Sequence, residues 1–445
     1  MIDVRILREN PELVRESLRK RGMDASLADR ALQLDREWRR ILKEVQDLRA
    51  LRNRLSVEIG KVKRAGGDPS PYLAQVKEVT ARLQELEAKL REVEEARYAA
   101  LKSLPNLVLE DVPVCFSDEE NVPIRFWGRA RVWKGHLDQF MALTDGRMEW
   151  EEIGWRPKSH VDLLPALGLA NYAKASEVAG ARFYYLLRDL AVMDLALQLF
   201  ALKRLVEKGY TPVFPPLMLK RRILDGVLDL ETFEDMIYKI QDEDLYLIGT
   251  AEHPLAALHT GEILDEKELP LKYVGWSPCF RREAGAHGKD TKGIFRVHHF
   301  NKVEQFVFSL PEQSREIHEE IVRNAEELLR ELGIPYRVVN VCSGSLGAPA
   351  AKKYDVEAWM PAQGTFRELI SVSNDLDWQA RRLMIRYRVR KTGEFRYVHT
   401  LNGTALATTR TMVAIVENFQ KEDGSIEVPK PLRDIIGKDV IPGGT

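Results

Sequence analysis

The chain has 445 residues, too many for one ordinary domain and enough for a large core with an accessory unit. Its longest apolar stretch, Leu190 to Leu202, contains Asp194 and Gln198, which excludes a bilayer span. A formal net charge of −1 describes no partner by itself, so charge has to be read region by region.

The start, Met1-Ile2-Asp3-Val4-Arg5, has no apolar run of the secretory kind and no lipidation motif. A cytoplasmic location is expected. The three cysteines, Cys115, Cys279 and Cys342, show no CxxC or Cys/His spacing. Reduced thiols are expected, with no disulfide frame and no zinc site.

The first hundred residues are almost all helix formers. From Leu34 an apolar seam runs through Trp38, Ile41, Val45 and Leu48, is broken by Arg52, and continues through Leu55, Ile59 and Val62. Its steps alternate between four and three, the coiled-coil period. Ala65-Gly66-Gly67-Asp68-Pro69-Ser70-Pro71 then stops the helix. A second seam follows through Leu73, Val76, Thr80, Leu83, Leu86 or Glu87, Leu90 and Val93. Two facing stripes across a short turn predict an antiparallel hairpin over about residues 30–102. Its first helix is about 50 Å long at the usual rise per residue. That helix carries an excess of about six positive charges. A solvated coiled-coil surface explains such charge, and so does a phosphate-contacting arm for structured RNA.

Leu104-Pro105-Asn106 ends the hairpin, and a Pro- and acid-rich linker follows. From there the pattern is α+β. Long helices are expected at Phe183–Glu207 and Glu316–Leu332. Short strands are expected at Thr211–Phe214, Leu245–Ile248, Gln305–Phe308 and Tyr336–Val341. The predicted domains are therefore 1–110 and 111–445.

Phe280-Arg281-Arg282-Glu283 precedes a Gly- and basic-rich loop, and Arg296-Val297-His298-His299-Phe300-Asn301-Lys302-Val303-Glu304 follows it. Read as two strands with period-two alternation, Arg281 and Glu283 share a face, Arg296, Phe300 and Glu304 share a face, and the two strands can form an antiparallel pair with one charged face. Together they offer a guanidinium for phosphate, a ring for a base and carboxylates for a cation or hydroxyl. The paired His298 and His299 have no third ligand nearby, so a structural role is expected, with the two rings on opposite faces.

This pattern resembles motif 2 of the class II aminoacyl-tRNA synthetases. Lys208-Gly209-Tyr210-Thr211-Pro212-Val213-Phe214-Pro215-Pro216 looks like motif 1, the dimer-forming helix and strand. Gly403-Thr404-Ala405-Leu406-Ala407-Thr408-Thr409-Arg410 looks like motif 3. The opening Ile6-Leu7-Arg8-Glu9-Asn10-Pro11-Glu12, the Thr250-Ala251-Glu252 triplet, the loop Ala284–Gly293, and Ser373-Asn374 with Gln379-Ala380-Arg381-Arg382 narrow the resemblance to the seryl-tRNA synthetase family. Two positions depart from that family's pattern: Ile370 stands where a serine is usual, and His299 where glutamine often stands.

The resemblance implies an α+β class II core, built on an antiparallel sheet flanked by helices, beside a tRNA-binding coiled-coil arm. It implies a homodimeric serine–tRNA ligase that uses ATP and L-serine and charges tRNA(Ser), with tRNA(Sec) as a further candidate. Catalytic roles fall to Arg281, Glu368 and Arg410. L-serine is expected at Thr250, Ala251, Glu252, Arg281, Glu304, Asn402 and Thr404. ATP is expected at Arg281, Arg282, Glu283, Arg296, Val297, Phe300, Glu368, Leu369, Ile370, Ser371 and Arg410. Mg²⁺ is expected on Glu368 and Ser371. Two alternatives stay open: a paralogue that activates serine for a carrier, and a non-catalytic RNA-binding paralogue. The first lacks the arm in the families concerned, and the second usually loses motif residues.

Overall fold

The computed structural model describes residues 1–284 and 290–443. The chain divides into two compact units, Met1–Leu107 and Val108–Thr445.

The first unit holds α1 (Val4–Glu9), α2 (Pro11–Lys20) and the antiparallel pair α3 (Ser26–Arg64) and α4 (Ser70–Lys102). Asp3 and Asn10 cap the first two helices through their side-chain oxygens. Helix α3 spans 39 residues, nearly 60 Å. Ile41, Val45 and Leu55 of α3 are buried against Val79, Leu83, Leu86 and Val93 of α4. Leu73 is 47% exposed and Tyr72 packs on the seam in its place, Val76 packs there as expected, and Val79 is buried rather than Thr80. Gly66 makes the turn at φ 75°, a conformation that costs other residues more. Asp35 anchors the base of the pair. It is fully buried and accepts from Arg8 at 2.7 Å and Arg97 at 2.8 Å. Burial alone would raise its pKa, but the two guanidinium groups outweigh it and hold the carboxyl below its usual range. Arg30, Arg36, Lys43, Arg54 and Lys63 are exposed and have no ion pair among the described residues.

The second unit is built on an eight-stranded sheet. Its strands are β1 (Val122–Trp127), β2 (Thr211–Val213), β3 (Leu271–Phe280), β4 (His299–Ser309), β5 (Tyr336–Asn340), β6 (Lys352–Met360), β7 (Thr365–Asn374) and β8 (His399–Ala407). The order across the sheet is β1-β5-β6-β7-β8-β4-β3-β2, antiparallel except for β3 against β2. Helices α5 (Arg188–Glu207), α6 (Glu252–Ala256), α7 (Ser314–Leu332), α8 (Trp378–Leu383) and α9 (Thr408–Phe419) flank it.

Alternation decides which side of the sheet becomes core. Val303 and Val307 of β4 join Leu197 of α5, Ile321 of α7 and Ile415 of α9 in the largest apolar cluster. Phe300, Lys302 and Glu304 therefore face the other way. Two bulges then alter the parity. Between β6 and β7, Val356 pairs with Ile370 but Glu357 pairs with Glu368. Residue 369 is extra, so Glu368 and Ser371 share a face although they are three apart. Between β4 and β8, Val303 pairs with Leu406 but Glu304 pairs with Thr404, so Thr404 and Ala407 share a face in the same way.

Three expectations need correction here. Phe183–Leu187 is not helical: Tyr185–Leu186 pairs with Ala170–Asn171, and the positive φ of Arg188, 52°, separates that strand from α5. The strand carrying Phe280 ends at Phe280, and Arg281 to Glu283 lie beyond it, with Glu283 at φ 51°. Arg296 likewise precedes β4. The shared-face argument therefore fails for these positions, although most of them converge, as shown below.

The cysteine expectation is also overturned. Cys115 and Cys342 form a disulfide with a Cα–Cα distance of 5.0 Å across 227 residues of sequence. The linker after α4 runs beside Cys342: Ser343 N–H donates to Pro113 O at 2.9 Å and Gly344 N–H to Cys115 O at 3.0 Å. A Cβ on Gly344 would meet Phe116 Cα at 2.8 Å, so only glycine permits this approach. Cys279 is free and buried. Closing so long a loop constrains the unfolded chain, so Cys115→Ser is expected to lose about 2–4 kcal/mol. Chemical denaturation of wild type and variant, with and without reductant, measures this. An equal midpoint for oxidised wild type and variant would contradict it.

Candidate functional site

A cavity of about 190 Å³ opens on the polar face of the sheet. Strands β4, β7 and β8 form its floor, and the segments after β3 and before α6 form its walls. Of the residues expected to bind ATP or serine, it is lined by Thr250, Glu252, Arg281, Glu283, Arg296, Val297, Phe300, Glu304, Glu368, Leu369, Ser371, Asn402, Thr404 and Arg410.

Three expected residues are elsewhere. Ala251 is fully buried in a separate apolar cluster with Leu255 and Phe306. Arg282 is exposed, and its backbone N–H donates to Met236 O at 2.9 Å. Ile370 is 1% exposed and packs in the main core, because the β7 bulge turns it from the cavity. The departure at Ile370 thus removes no hydroxyl from the cleft. Of the loop Ala284–Gly293, residues 285–289, which include His287 and Lys289, lie outside the described residues.

The cleft's charges are arranged in pairs. Arg296 Nη1 donates to Glu283 Oε2 at 3.0 Å. Lys302 Nζ lies 2.5 Å from Glu304 Oε2, with both side chains under a tenth exposed. Thr404 joins them, accepting from Lys302 and donating to Glu304, each at 3.3 Å. Arg410 Nη1 donates to the Glu368 backbone oxygen at 2.9 Å and lies 3.3 Å from its carboxylate. Its guanidinium also packs 5.0 Å from the Phe295 ring.

Arg281 is the exception. Among the described residues no carboxylate lies within ion-pair distance of it. Its Nε donates to Gly249 O at 3.1 Å, and its guanidinium covers Phe300 at 5.3 Å. An exposed cation–π contact contributes roughly 0.5–1 kcal/mol. Charge-assisted hydrogen bonds contribute about 1.5–3 kcal/mol each. A phosphate or carboxylate in the cleft therefore outcompetes the ring for this guanidinium.

Two carboxyls have opposed environments. Burial first, then the charge of Glu304, pushes Glu252 up, against Lys302, Gln379 and Arg281. Gln379 Nε2 donates to Glu252 Oε1 at 3.1 Å. Burial would also raise Glu368, but Arg410, Lys353 and Arg281 overcome it and hold that carboxyl low. Glu368 is 43% exposed to the cleft and accepts from Ser371 Oγ at 3.2 Å. It stays an anion at neutral pH, with oxygen donors of the kind Mg²⁺ takes. Among the described residues no group of three His, Cys, Asp or Glu is placed to hold an ion by itself.

The histidine pair has packing partners. His298 Nδ1 lies 2.9 Å from Arg281 O, and His299 stacks on Tyr184 at 5.2 Å with parallel planes. Both rings approach Phe183, so they are not on opposite faces. His298 precedes β4 and does not follow strand alternation.

Sequence reasoning missed Phe295, Lys302, Ser373, Ala407 and Thr409 as lining residues. Lys302 was within reach, since it lies between Phe300 and Glu304 at strand parity. Ala407 depends on the β8 bulge, and Phe295 on a loop turn, for which no local pattern exists.

Residues 1–108 match the family described as "Seryl-tRNA synthetase N-terminal domain", and residues 234–419 match "tRNA synthetase class II core domain (G, H, P, S and T)". The chain is 57% identical to a serine–tRNA ligase of Pyrococcus horikoshii over 99% of this chain and 98% of that one. It is similar to a crystal structure of seryl-tRNA synthetase from the same organism complexed with ATP, with a TM-score of 0.96, 57% identity and all of both chains covered. A cytoplasmic serine–tRNA ligase structure from Naegleria fowleri, in complex with AMP, gives 0.86 at 36% identity, over 100% of this chain and 99% of that one.

Proposed function

Because the chain belongs to the seryl-tRNA synthetase family, and is a class II serine–tRNA ligase, we propose that the cleft joins L-serine to ATP and hands the seryl group to tRNA(Ser). The observation that carries this assignment of the cleft is Arg281, a cation without a carboxylate partner among the described residues, beside a stacking ring and a set of buried hydroxyl-binding groups. The similar structures that hold ATP and AMP support the nucleotide part.

In the first half-reaction a serine carboxylate oxygen attacks the α-phosphorus of ATP. The bond from phosphorus to the bridging oxygen breaks, and pyrophosphate leaves with the electron pair. Arg281 holds the two reacting anions together and neutralises charge that develops between them. Phe300 stacks on adenine, and Glu283 accepts from its amino group once Arg296 turns to phosphate. Arg410, fixed between Glu368 and Phe295, holds the γ-phosphate. Glu368 and Ser371 would hold Mg²⁺, which neutralises the leaving pyrophosphate when bound. In the second half-reaction a terminal ribose hydroxyl of the tRNA attacks the seryl carbonyl. The bond from the seryl carbonyl carbon to the phosphate oxygen breaks, AMP departs with its electron pair, and the hydroxyl proton passes to the departing phosphate.

Serine is selected by groups that need its hydrogen bonds. Thr250, Glu252, Glu304, Asn402 and Thr404 all line the cleft and supply them. A site built to bond a hydroxyl rejects the analogue lacking it by roughly 10⁴–10⁵. ATP–pyrophosphate exchange tests the proposal: serine supports it and alanine does not. Exchange with alanine at a comparable rate would contradict this account of selection.

The exposed arm residues Arg30, Arg36, Lys43, Arg54 and Lys63 support a phosphate-contacting role for the first unit, and we extend the proposal to tRNA(Sec), testable by charging that transcript. No described helix is long and apolar enough to cross a membrane, and a cytoplasmic location fits this function.

A homodimer is part of the same proposal. Val192, Leu195, Leu199 and Val206 line one face of α5 and are 38%, 64%, 45% and 43% exposed. Their spacing makes one apolar stripe that the fold itself leaves uncovered. The adjacent β2 is an edge strand with Pro212 inside it and Phe214 beyond it, 61% exposed. Two-fold pairing covers stripe and edge together. Light scattering is expected to give about twice the 51.0 kDa chain mass. Leu195→Glu is expected to shift the species toward monomer. A monomeric wild type that charges tRNA at full rate would contradict the dimer.

A further inference from the structure

Asp375 lies just past the end of β7 and is 1% exposed. It belongs to none of the expected binding sets. Its backbone N–H donates to Thr400 O at 3.0 Å, which fixes it beside β8. Its Oδ2 accepts from Asn402 Nδ2 at 2.9 Å. A carboxyl oxygen accepts and an amide NH₂ donates, so this contact decides which way the Asn402 amide faces.

Asn402 Oδ1 is then the end left for the cleft. It has no protein partner among the described residues. Asn402 lines both the cavity described above and a neighbouring one of about 410 Å³, and the two meet at Thr250, Glu252, Arg281, Ser373 and Asn402. Asp375 also lines the second cavity.

We propose that Asp375 is a positioning residue for serine: through Asn402 it presents an acceptor, and not a donor, to the amino-acid end of the cleft. The inference rests on the ligase reading and deepens it. Free serine carries its donors at the ammonium and the hydroxyl. An amide turned the other way would set an N–H against the ammonium. Glu252, Glu304 and Asn402 Oδ1 together make a wall of acceptors matched to those donors. Burial, then Glu252, pushes the Asp375 carboxyl well above its usual range, and the Asn402 amide opposes that shift. In either protonation state the carboxyl keeps an oxygen that accepts from Asn402 Nδ2.

The test is steady-state pyrophosphate exchange with wild type, Asp375→Ala, Asp375→Asn, Asn402→Ala and the Asp375→Ala/Asn402→Ala double variant. Wild-type exchange with serine is the control, and its absence would overturn the ligase reading itself. Asp375→Ala is expected to raise the KM for serine about 10-fold, the cost of one buried hydrogen bond. The KM for ATP should not move. Asp375→Asn keeps an acceptor and should restore serine binding nearly to wild type. In the Asn402→Ala background, Asp375→Ala should add nothing. Asp375→Leu gives the same comparison with the volume filled if the alanine variant does not fold. An Asp375→Asn defect equal to that of Asp375→Ala would show that charge, not the acceptor, matters. That result, additive losses in the double variant, or an unchanged KM for serine would each overturn the proposal.

Discussion

Deletion of residues 50–82, the outer part of the α3–α4 hairpin, is expected to leave serine-dependent pyrophosphate exchange nearly unchanged and to lower tRNA charging by at least ~10²-fold. Every lining residue of the cleft lies at or beyond Thr250, in the second unit. The hairpin has its own apolar seam, so cutting it far from the base leaves Asp35 with Arg8 and Arg97 and should spare α1 and α2. What the deletion removes is charge, including Arg54, Lys63 and Arg64. Each phosphate that the shortened arm no longer neutralises keeps its condensed counterions, and the entropy of releasing them no longer favours binding. The KM for tRNA in the intact chain should therefore rise steeply with salt, while exchange responds weakly. Charging by the shortened protein within a few-fold of the intact chain would show that the arm is not the tRNA ligand.

The second large effect belongs to Arg281. Arg281→Ala is expected to lower exchange by about 10²–10³ in kcat, the usual loss for one preorganised donor at a developing charge. The fold should survive, since the side chain makes one hydrogen bond and one ring contact. Arg281→Lys should recover only part of the rate, because an ammonium cannot bridge two anions with a planar fork. Circular dichroism and thermal melting check the fold, and pre-steady-state adenylate formation checks the step. Wild-type exchange in a folded Arg281→Ala protein would remove Arg281 from the centre of the mechanism.

Different parts of this structure were legible in the sequence to different degrees, for physical reasons. The α3–α4 pair was legible because its contacts repeat with a fixed local period, and Ile41, Val45, Leu83 and Val93 are where that period puts them. The motif positions were legible by resemblance. Their geometry was not. Glu368 and Ser371 share a face only because of the β7 bulge, and a bulge depends on the partner strand. Ile370 was expected beside ATP for lack of that information. Arg281 and Glu283 do reach one cavity, but by a turn past the strand rather than by alternation. The Cys115–Cys342 bond escaped because its cysteines are 227 residues apart and share no motif. Sheet order was equally out of reach, since β1, early in the chain, pairs with β5.

The alternatives of carrier charging and RNA binding without catalysis differ from the ligase reading in one product. Incubation of the intact chain with total tRNA, ATP and labelled serine, followed by hybridisation of the acylated RNA, measures it directly. Acid-precipitable serine on tRNA(Ser), dependent on ATP and lost in Arg281→Ala, is the predicted result. Serine-dependent pyrophosphate exchange with no serine on any tRNA would contradict the account.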